Sequence, residues 1–361
     1  MSYDEAIKPA GIKEIASTLG ISIGTVDRAL HNRSGVSAKT RERVLKTAEK
    51  LRYTPNIAAR NLKLNRHLKI GVFLPQEISS FFDALRTGIR TAQAETEGAV
   101  DLSFISYPRL GEGDVEAMEK ADWKKFDGII VAPGNPETLT RISDVAKQEQ
   151  RPIVFVATDA PRLHRIASIS VDATVSGSVA AELLGRFIQR PCTVATVIGD
   201  MRVQDHADKL RGFAASLATL SSHLSLLPAI ESHESPQQAY EAAVQLIAKH
   251  PNLGGLYIST ANSLPVIRAL REKRLLGKVQ VIATDLFPEL ASLIENNQVA
   301  ASLYQRPLTQ GRVAFEMLSA YLAKGPIPQP INRLAPHIVL RSNLSLFLET
   351  ISLAEQASPL V

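Results

Sequence analysis

The chain has 361 residues, of which 45% are hydrophobic and 21% charged, a balance that fills cores and excludes a disordered or low-complexity polymer. A prior of about 150 residues per domain predicts two or three units. The net charge of +5 is unevenly placed: Met1 to Lys69 holds 14 Lys and Arg against 6 Asp and Glu, leaving 27 against 30 in the remainder.

A basic head on a slightly acidic body is the electrostatic footprint of a polyanion binder. No apolar run approaches the roughly 18 residues of a membrane-spanning helix. The opening MSYDEAIKPAG carries acids and lacks the basic-then-apolar order of a secretory signal. A cytoplasmic protein with no membrane partner is expected. The single cysteine, Cys192 in CTVATVIG, reads as a small buried hydrophobe in a reducing compartment.

The first predicted helix places Ile12, Ile15, Ala16 and Leu19 on one face and ends at Gly20. Ile21 packs in the turn. Ser22 caps a second helix to about His31, whose inner stripe is Val26, Ala29 and Leu30. Ile23, Gly24, Asp27 and Arg28 are left outside. A third amphipathic helix follows in SAKTRERVLKTAEKL, with Ser37 as cap and Val44, Leu45, Ala48 and Leu51 as its core stripe. After Pro55, NIAARNLKLNR is helix-competent but flanked by a proline and polar residues.

From Lys69 the pattern becomes apolar strands alternating with amphipathic helices: KIGVFLP, FFDALRTGIRTAQAE, VDLSFISYP, FDGIIVAPG, RISDVAKQE and PIVFVATD. It continues with SGSVAAELLGRFI, TVATVIGD, KLRGFAASLA, YEAAVQLIAKH, GGLYIST, LPVIRALREK, VQVIATD and ELASLIENN. Such units build parallel sheets covered by helices on both faces. About 260 residues of this exceed one sheet, so two doubly wound lobes are expected, with a ligand cleft at the strand ends between them.

The stretch GISIGTVDRALHNRSGVSAKTRERVLKTAEKLRYTPNIAARNLK resembles the DNA-binding head of the lactose-repressor (LacI/GalR) family. The likeness lies in an Ala-x-x-x-Gly turn, a Thr-Val-x-Arg helix, a Val-Ser-x-x-Thr-Arg-x-Arg-Val helix and a Tyr-x-Pro-Asn-x-x-Ala-Arg hinge. It implies an α/β chain: an all-α helix-turn-helix head, then two doubly wound parallel lobes of the periplasmic-binding-protein-like type I. The implied domains are 10–54 (head), 55–67 (hinge helix and linker), 68–345 (effector-binding and dimerisation body) and 346–361 (tail).

By this resemblance the second helix enters the DNA major groove. Ile23 meets a thymine methyl, Gly24 offers no side chain, and Arg28 pairs with guanine. Ser22, Thr25 and Asn32 suit phosphate oxygens. Asp27 departs from the family's serine and either orients Arg28 or reads a cytosine amino group. Leu62 is the minor-groove wedge of the hinge, with Arg60, Lys63 and Arg66 neutralising phosphates.

In the body, Ser79 to Phe82 resembles the Asn-Pro-Phe-Phe of ribose-type binding proteins, so Phe81 and Phe82 either clamp a sugar ring or belong to the core. Asp159, Asn262, Asp285 and Gln305 stand where the family places polar ligand contacts, as suits paired sugar hydroxyls. Ala160 and Ala207 stand where the branch has arginines, leaving His206 or Lys209 to substitute; Leu286 replaces a common second aspartate. Arg165 either restores the lost charge or forms a surface ion pair.

The resemblance implies a homodimeric repressor that binds palindromic operator DNA and answers to a small sugar or polyol, with no cofactor. The cluster Asp200, Asp205, His206 and Asp208 invites a metal or acid–base reading, but its spacing matches no closed metal set. The chain lacks GxxxxGK[ST], a convincing GxGxxG and GxSxG, so no enzyme is expected. A transport-associated sugar-binding protein would need export. A non-sugar ligand or a protein co-regulator is the remaining alternative.

Overall fold

Three short helices form the head of the computed structural model, which describes residues 11–30, 34–51, 67–96, 100–260, 262–323, 325 and 327–348. They are α1 (Ile12–Leu19), α2 (Ile23–Leu30) and α3 (Ala38–Lys50). Glu14 turns back to accept the Gly11 N–H at 2.8 Å, satisfying a donor orphaned at the helix start. Gly20 adopts a left-handed conformation (φ 64°) and closes α1. Ser22 Oγ accepts the Thr25 N–H and Ser37 Oγ the Thr40 N–H, each at 3.1 Å, so both expected caps form.

Ile15, Ala16, Val26, Ala29, Val44 and Ala48 make the head's core, with Ile12, Leu19, Ile21, Leu30, Val36 and Leu51 packed around it. Leu45, expected in that stripe, is 49% exposed. It lies about 100° around the helix from Val44, while Ala48 and Leu51 return to Val44's face. The main boundary between the chain's two units falls between His67 and Leu68. Residues 55–66 of the expected hinge and 349–361 of the expected tail lie outside the described residues.

The body's first lobe runs β1 (Leu68–Pro75), α4 (Ser79–Ala94), β2 (Val100–Tyr107), α5 (Asp114–Lys120), a 3-10 turn (Trp123–Lys125), β3 (Gly128–Val131), α6 (Pro136–Gln148), β4 (Ile153–Val156) and β5 (Ala167–Val171). The second holds α7 (Ala173–Phe187), β6 (Cys192–Ile198), α8 (Gln204–Leu220), β7 (Leu224–Leu226), β8 (Ile230–Glu231), α9 (Pro236–Lys249), β9 (Leu253–Ile258), α10 (Leu264–Glu272), β10 (Gln280–Thr284), α11 (Pro288–Glu295) and β11 (Ala301–Tyr304). The chain then returns through α12 (Pro307–Leu322) and β12 (Ile331–Leu334) to the first sheet, and crosses again to β13 (His337–Val339) in the second.

The first sheet has the order β12-β5-β4-β3-β1-β2 and the second β13-β11-β10-β9-β6-β7, with β8 also on β6. Every pairing is parallel except β11 with β13. β3, β4 and β9 are buried at every position, as strands covered on both faces must be. Separate apolar cores cover the two faces of the second sheet, one centred on Leu256, Leu270 and Leu290, the other on Leu184, Phe213 and Tyr257. Cys192 is a buried member of the latter. Among the described residues no helix is long and apolar enough to cross a membrane.

The same device packs the helices in each lobe. A Cβ on Gly177 of α7 would lie 1.9 Å from the Lys209 carbonyl oxygen, and one on Gly212 of α8 would lie 2.1 Å from that of Thr174. In the first lobe, Gly88 of α4 and Gly311 of α12 stand in the same relation to Leu308 and Leu85, each at 2.1 Å. Backbone meets backbone, so an added methyl has no flexible neighbour to displace. Gly177→Ala should destabilise the body by about 1–3 kcal/mol or more, read from chemical denaturation followed by the fluorescence of Trp123, the sole tryptophan; an unchanged midpoint would refute this close packing.

Candidate functional site

On the head, the turn and α2 expose Ser22, Ile23, Gly24 and Arg28, with Thr25 and Asp27 half-buried. Ile23 is 51% exposed, an apolar side chain that the head's own core does not use. Ser22 Oγ lies 2.9 Å from Thr25 Oγ1, which also accepts from Arg28 Nη2 at 3.4 Å. The two hydroxyls and the guanidinium thus share one face. A Cβ on Gly24 would touch nothing closer than Arg28 Nη1 at 3.9 Å, so the surface beside Ile23 is open. Asn32, Arg60, Leu62 and Lys63 lie outside the described residues.

In the first lobe, Phe81 and Phe82 start α4, 5% and 2% exposed, with rings edge-to-face at 5.0 Å. One turn on, Arg86 donates to the carbonyls of Pro75 at 2.6 Å and Leu74 at 3.3 Å, and pairs with Asp83 at 2.8 Å. It fixes the end of β1 relative to the helix that carries the aromatics. Asp159, beyond β4, holds Arg165 in a two-pronged pair at 2.6 and 2.7 Å, both side chains largely buried. Arg165 therefore neutralises Asp159 and is not a free surface cation.

The second lobe gathers its polar residues at the C-terminal ends of β6, β9, β10 and β11. Lys209 of α8 is 1% exposed. Its ammonium donates to Asp205 Oδ2 at 2.6 Å, Gln305 Oε1 at 2.8 Å and the Ser259 carbonyl at 3.4 Å. Gln305 donates from its side chain to Asp285 Oδ2 at 2.7 Å and from its backbone to Oδ1 at 3.2 Å. Burial pushes the Asp285 carboxyl up to about 6, against the pull of Lys209 and Gln305; Asp205 adds a smaller upward push.

His206 Nδ1 lies 2.9 Å from the Asp200 amide and 3.1 Å from its carbonyl, and its Nε2 lies 3.3 Å from Glu234 Oε1. Thr260 Oγ1 donates to Glu234 Oε2 at 2.7 Å, and Asn262 Nδ2 donates to the Glu234 carbonyl at 3.4 Å. Of the residues expected from the sequence, Lys209, Asp285 and Gln305 thus share one buried network, while His206 belongs to a second group with Glu234 and Thr260, which Asn262 borders. Asp205 and His206 occupy the first turn of α8, buried. Asp208, in the same helix, is engaged by Gln204 and Arg211.

Three partners escaped the sequence reading: Asp205 as the counter-ion of Lys209, Glu234 and Thr260. The one local signal was Asp205 standing four residues before Lys209, a helical ion-pair spacing. Nothing in SHESP announces that Glu234 is buried. Asp200, Glu231 and His233 bring ligand atoms within 4.8 Å of one another, but Asp200 is clasped by Arg202 at 2.5 Å and Glu231 accepts the Met201 amide at 2.9 Å.

Residues 11–56 match the model of bacterial regulatory proteins of the lacI family, and residues 70–326 match the periplasmic binding protein domain. The HTH-type transcriptional regulator DegA of Bacillus subtilis is 25% identical over 82% of this chain and 85% of its own. The ribose operon repressor of the same organism is 25% identical over 89% and 94%. Among solved structures, the body resembles GanP, a glucose-galactose binding protein from Geobacillus stearothermophilus, with a TM-score of 0.71 at 23% identity, covering 77% of this chain and 99% of that one. With a lacI-type helix-turn-helix head joined to a periplasmic-binding-protein body, the chain belongs to the lacI family of DNA-binding transcriptional regulators.

Proposed function

We propose that the protein is a homodimeric, cytoplasmic repressor of a roughly palindromic operator, and that its grip on DNA is set by a small sugar or polyol bound between the two lobes. The observation that carries the effector reading is the set of buried acceptors at the strand ends of the second lobe: Asp205, Glu234, Asp285 and Gln305. Carboxylates and amides in a water-poor cleft suit paired hydroxyls. The name of the ribose operon repressor and the sugar ligands of GanP point the same way.

On DNA, Arg28 reads guanine and Ile23 packs on a thymine methyl. Ser22, Thr25 and Asn32 hold phosphates, Asp27 orients Arg28, and Leu62 wedges the minor groove between Arg60 and Lys63. In the body, Phe81 and Phe82 stack on the ligand, and Asp159, steadied by Arg165, takes hydroxyls from the first lobe. The lobes touch where the Asp205 N–H donates to Thr158 Oγ1 at 3.1 Å. Beside that contact a cavity of about 50 Å³, lined by Asp159, Asp172, Asp205, Asp208 and Arg333, has room for no more than a water or two. A sugar enters only as the lobes part, which makes lobe angle the variable that ligand affinity controls. The protein acts by binding alone, without a catalytic step or cofactor.

Arg28→Ala should weaken binding to a selected operator by about tenfold or more while changing non-specific binding little; equal loss on both DNAs in a fluorescence-anisotropy titration would remove its base-reading role. For the effector, one pentose, hexose or polyol should raise the melting temperature, and Asp285→Ala should abolish that shift. Asp285 accepts hydroxyls when ionised, and its form changes as pH falls through about 6, so affinity measured by calorimetry should drop between about pH 7 and pH 5. A flat profile would take Asp285 out of the site.

A further inference from the structure

We propose that Glu234 is an effector-reading carboxylate and that, with Asp205 and Asp285, it tunes the cleft to neutral or cationic sugars and against anionic ones such as sugar phosphates and sugar acids. The inference rests on the reading above that the cleft takes a sugar or polyol. Glu234 is 1% exposed, and one carboxylate oxygen is committed to Thr260. The other, Oε1, sits near His206 Nε2 but completes no hydrogen bond.

The local backbone is built around this side chain. His233 and Glu234 are consecutive non-glycine residues in left-handed conformation (φ 47° and 54°), an arrangement that costs free energy and persists only where the surroundings enforce it. Gly199, just past β6, leaves the space: a Cβ there would fall 1.8 Å from Glu234 Oε1 and 2.3 Å from His206 Cε1. Asp205 supplies a second open acceptor, since its Oδ1 is buried and unpartnered while Oδ2 holds Lys209.

Three cations beside the cluster are already paired. Lys209 directs its ammonium to three oxygens, which uses all of its donors. Arg165 is taken by Asp159 and Arg202 by Asp200. What the cluster offers a ligand is acceptor oxygens. A phosphate or carboxylate would arrive beside three buried acids while Lys209, Arg165 and Arg202 are each held by other oxygens, an arrangement that disfavours burying a further negative charge. A hydroxyl or ammonium group would complete the open acceptors.

The test is thermal denaturation of the full chain and of Glu234→Gln with D-ribose, D-glucose, D-galactose and myo-inositol, the cationic D-glucosamine and D-galactosamine, and the anionic glucose 6-phosphate, gluconate and glucuronate. A shift from a neutral or amino sugar alone, with Kd raised tenfold or more in Glu234→Gln, is the expected result. The charge selectivity of the wild type is informative even if the variant fails to fold, which Trp123 fluorescence reveals. A shift from an anionic sugar, or an affinity unchanged in a folded Glu234→Gln, would overturn this inference and leave the sugar reading standing. No shift with any compound would overturn the sugar reading itself.

Discussion

A lysine ammonium withdrawn from water holds the body's polar interior in place. Lys209 is 1% exposed, and a buried cation is tolerated only when its charge is balanced and its protons are accepted. Asp205 lies one turn earlier on the same helix, the Ser259 carbonyl closes β9, and Gln305 begins the return to the first lobe. From Gln305 the path continues: its carbonyl accepts from Gln310 Nε2 at 2.8 Å, and Gln310 Oε1 accepts the Ala157 N–H at 3.1 Å. One hydrogen-bonded chain therefore runs from α8 across a crossover to the end of β4.

Head and body are built for opposite electrostatic tasks. The head's basic excess and small apolar core leave hydroxyls, an arginine and an exposed isoleucine on one face, a surface for reading a polyanion. The body's polar interior inverts this, with buried carboxylates gathered around Lys209 and with Lys209, Arg165 and Arg202 each held by a carboxylate. Elongated helices and fully buried strands give the cleft a stiff frame, so that the open acceptors keep their positions without a ligand.

Elements with strong periodicity were legible in the sequence, including all three head helices and both lobes' central strands. Short or weakly patterned elements were not: ASISV, LSL and IE form β5, β7 and β8, too brief to show a period. Leu45 was misread because it lies about 100° around α3 from Val44, outside the face that Val44, Ala48 and Leu51 turn to the core. In the cleft, Asp285 and Gln305 were found through motif resemblance and Lys209 as a replacement cation. Glu234 was invisible because its burial comes from β6 and β9, 26 or more residues away at Thr260, and from a backbone conformation that composition does not announce.

The mirrored glycine contacts, Gly88 with Gly311 and Gly177 with Gly212, bear on how a ligand's free energy is spent. Helices locked backbone to backbone cannot slide by the fraction of an ångström that cushions most side-chain interfaces. Each lobe then behaves as an inelastic block, and strain introduced at the cleft is not absorbed within it. It concentrates at the three thin connections near Asp172, Arg306 and Ala335. Such a body works as a hinge with stiff arms, converting a small local fit into an angular displacement.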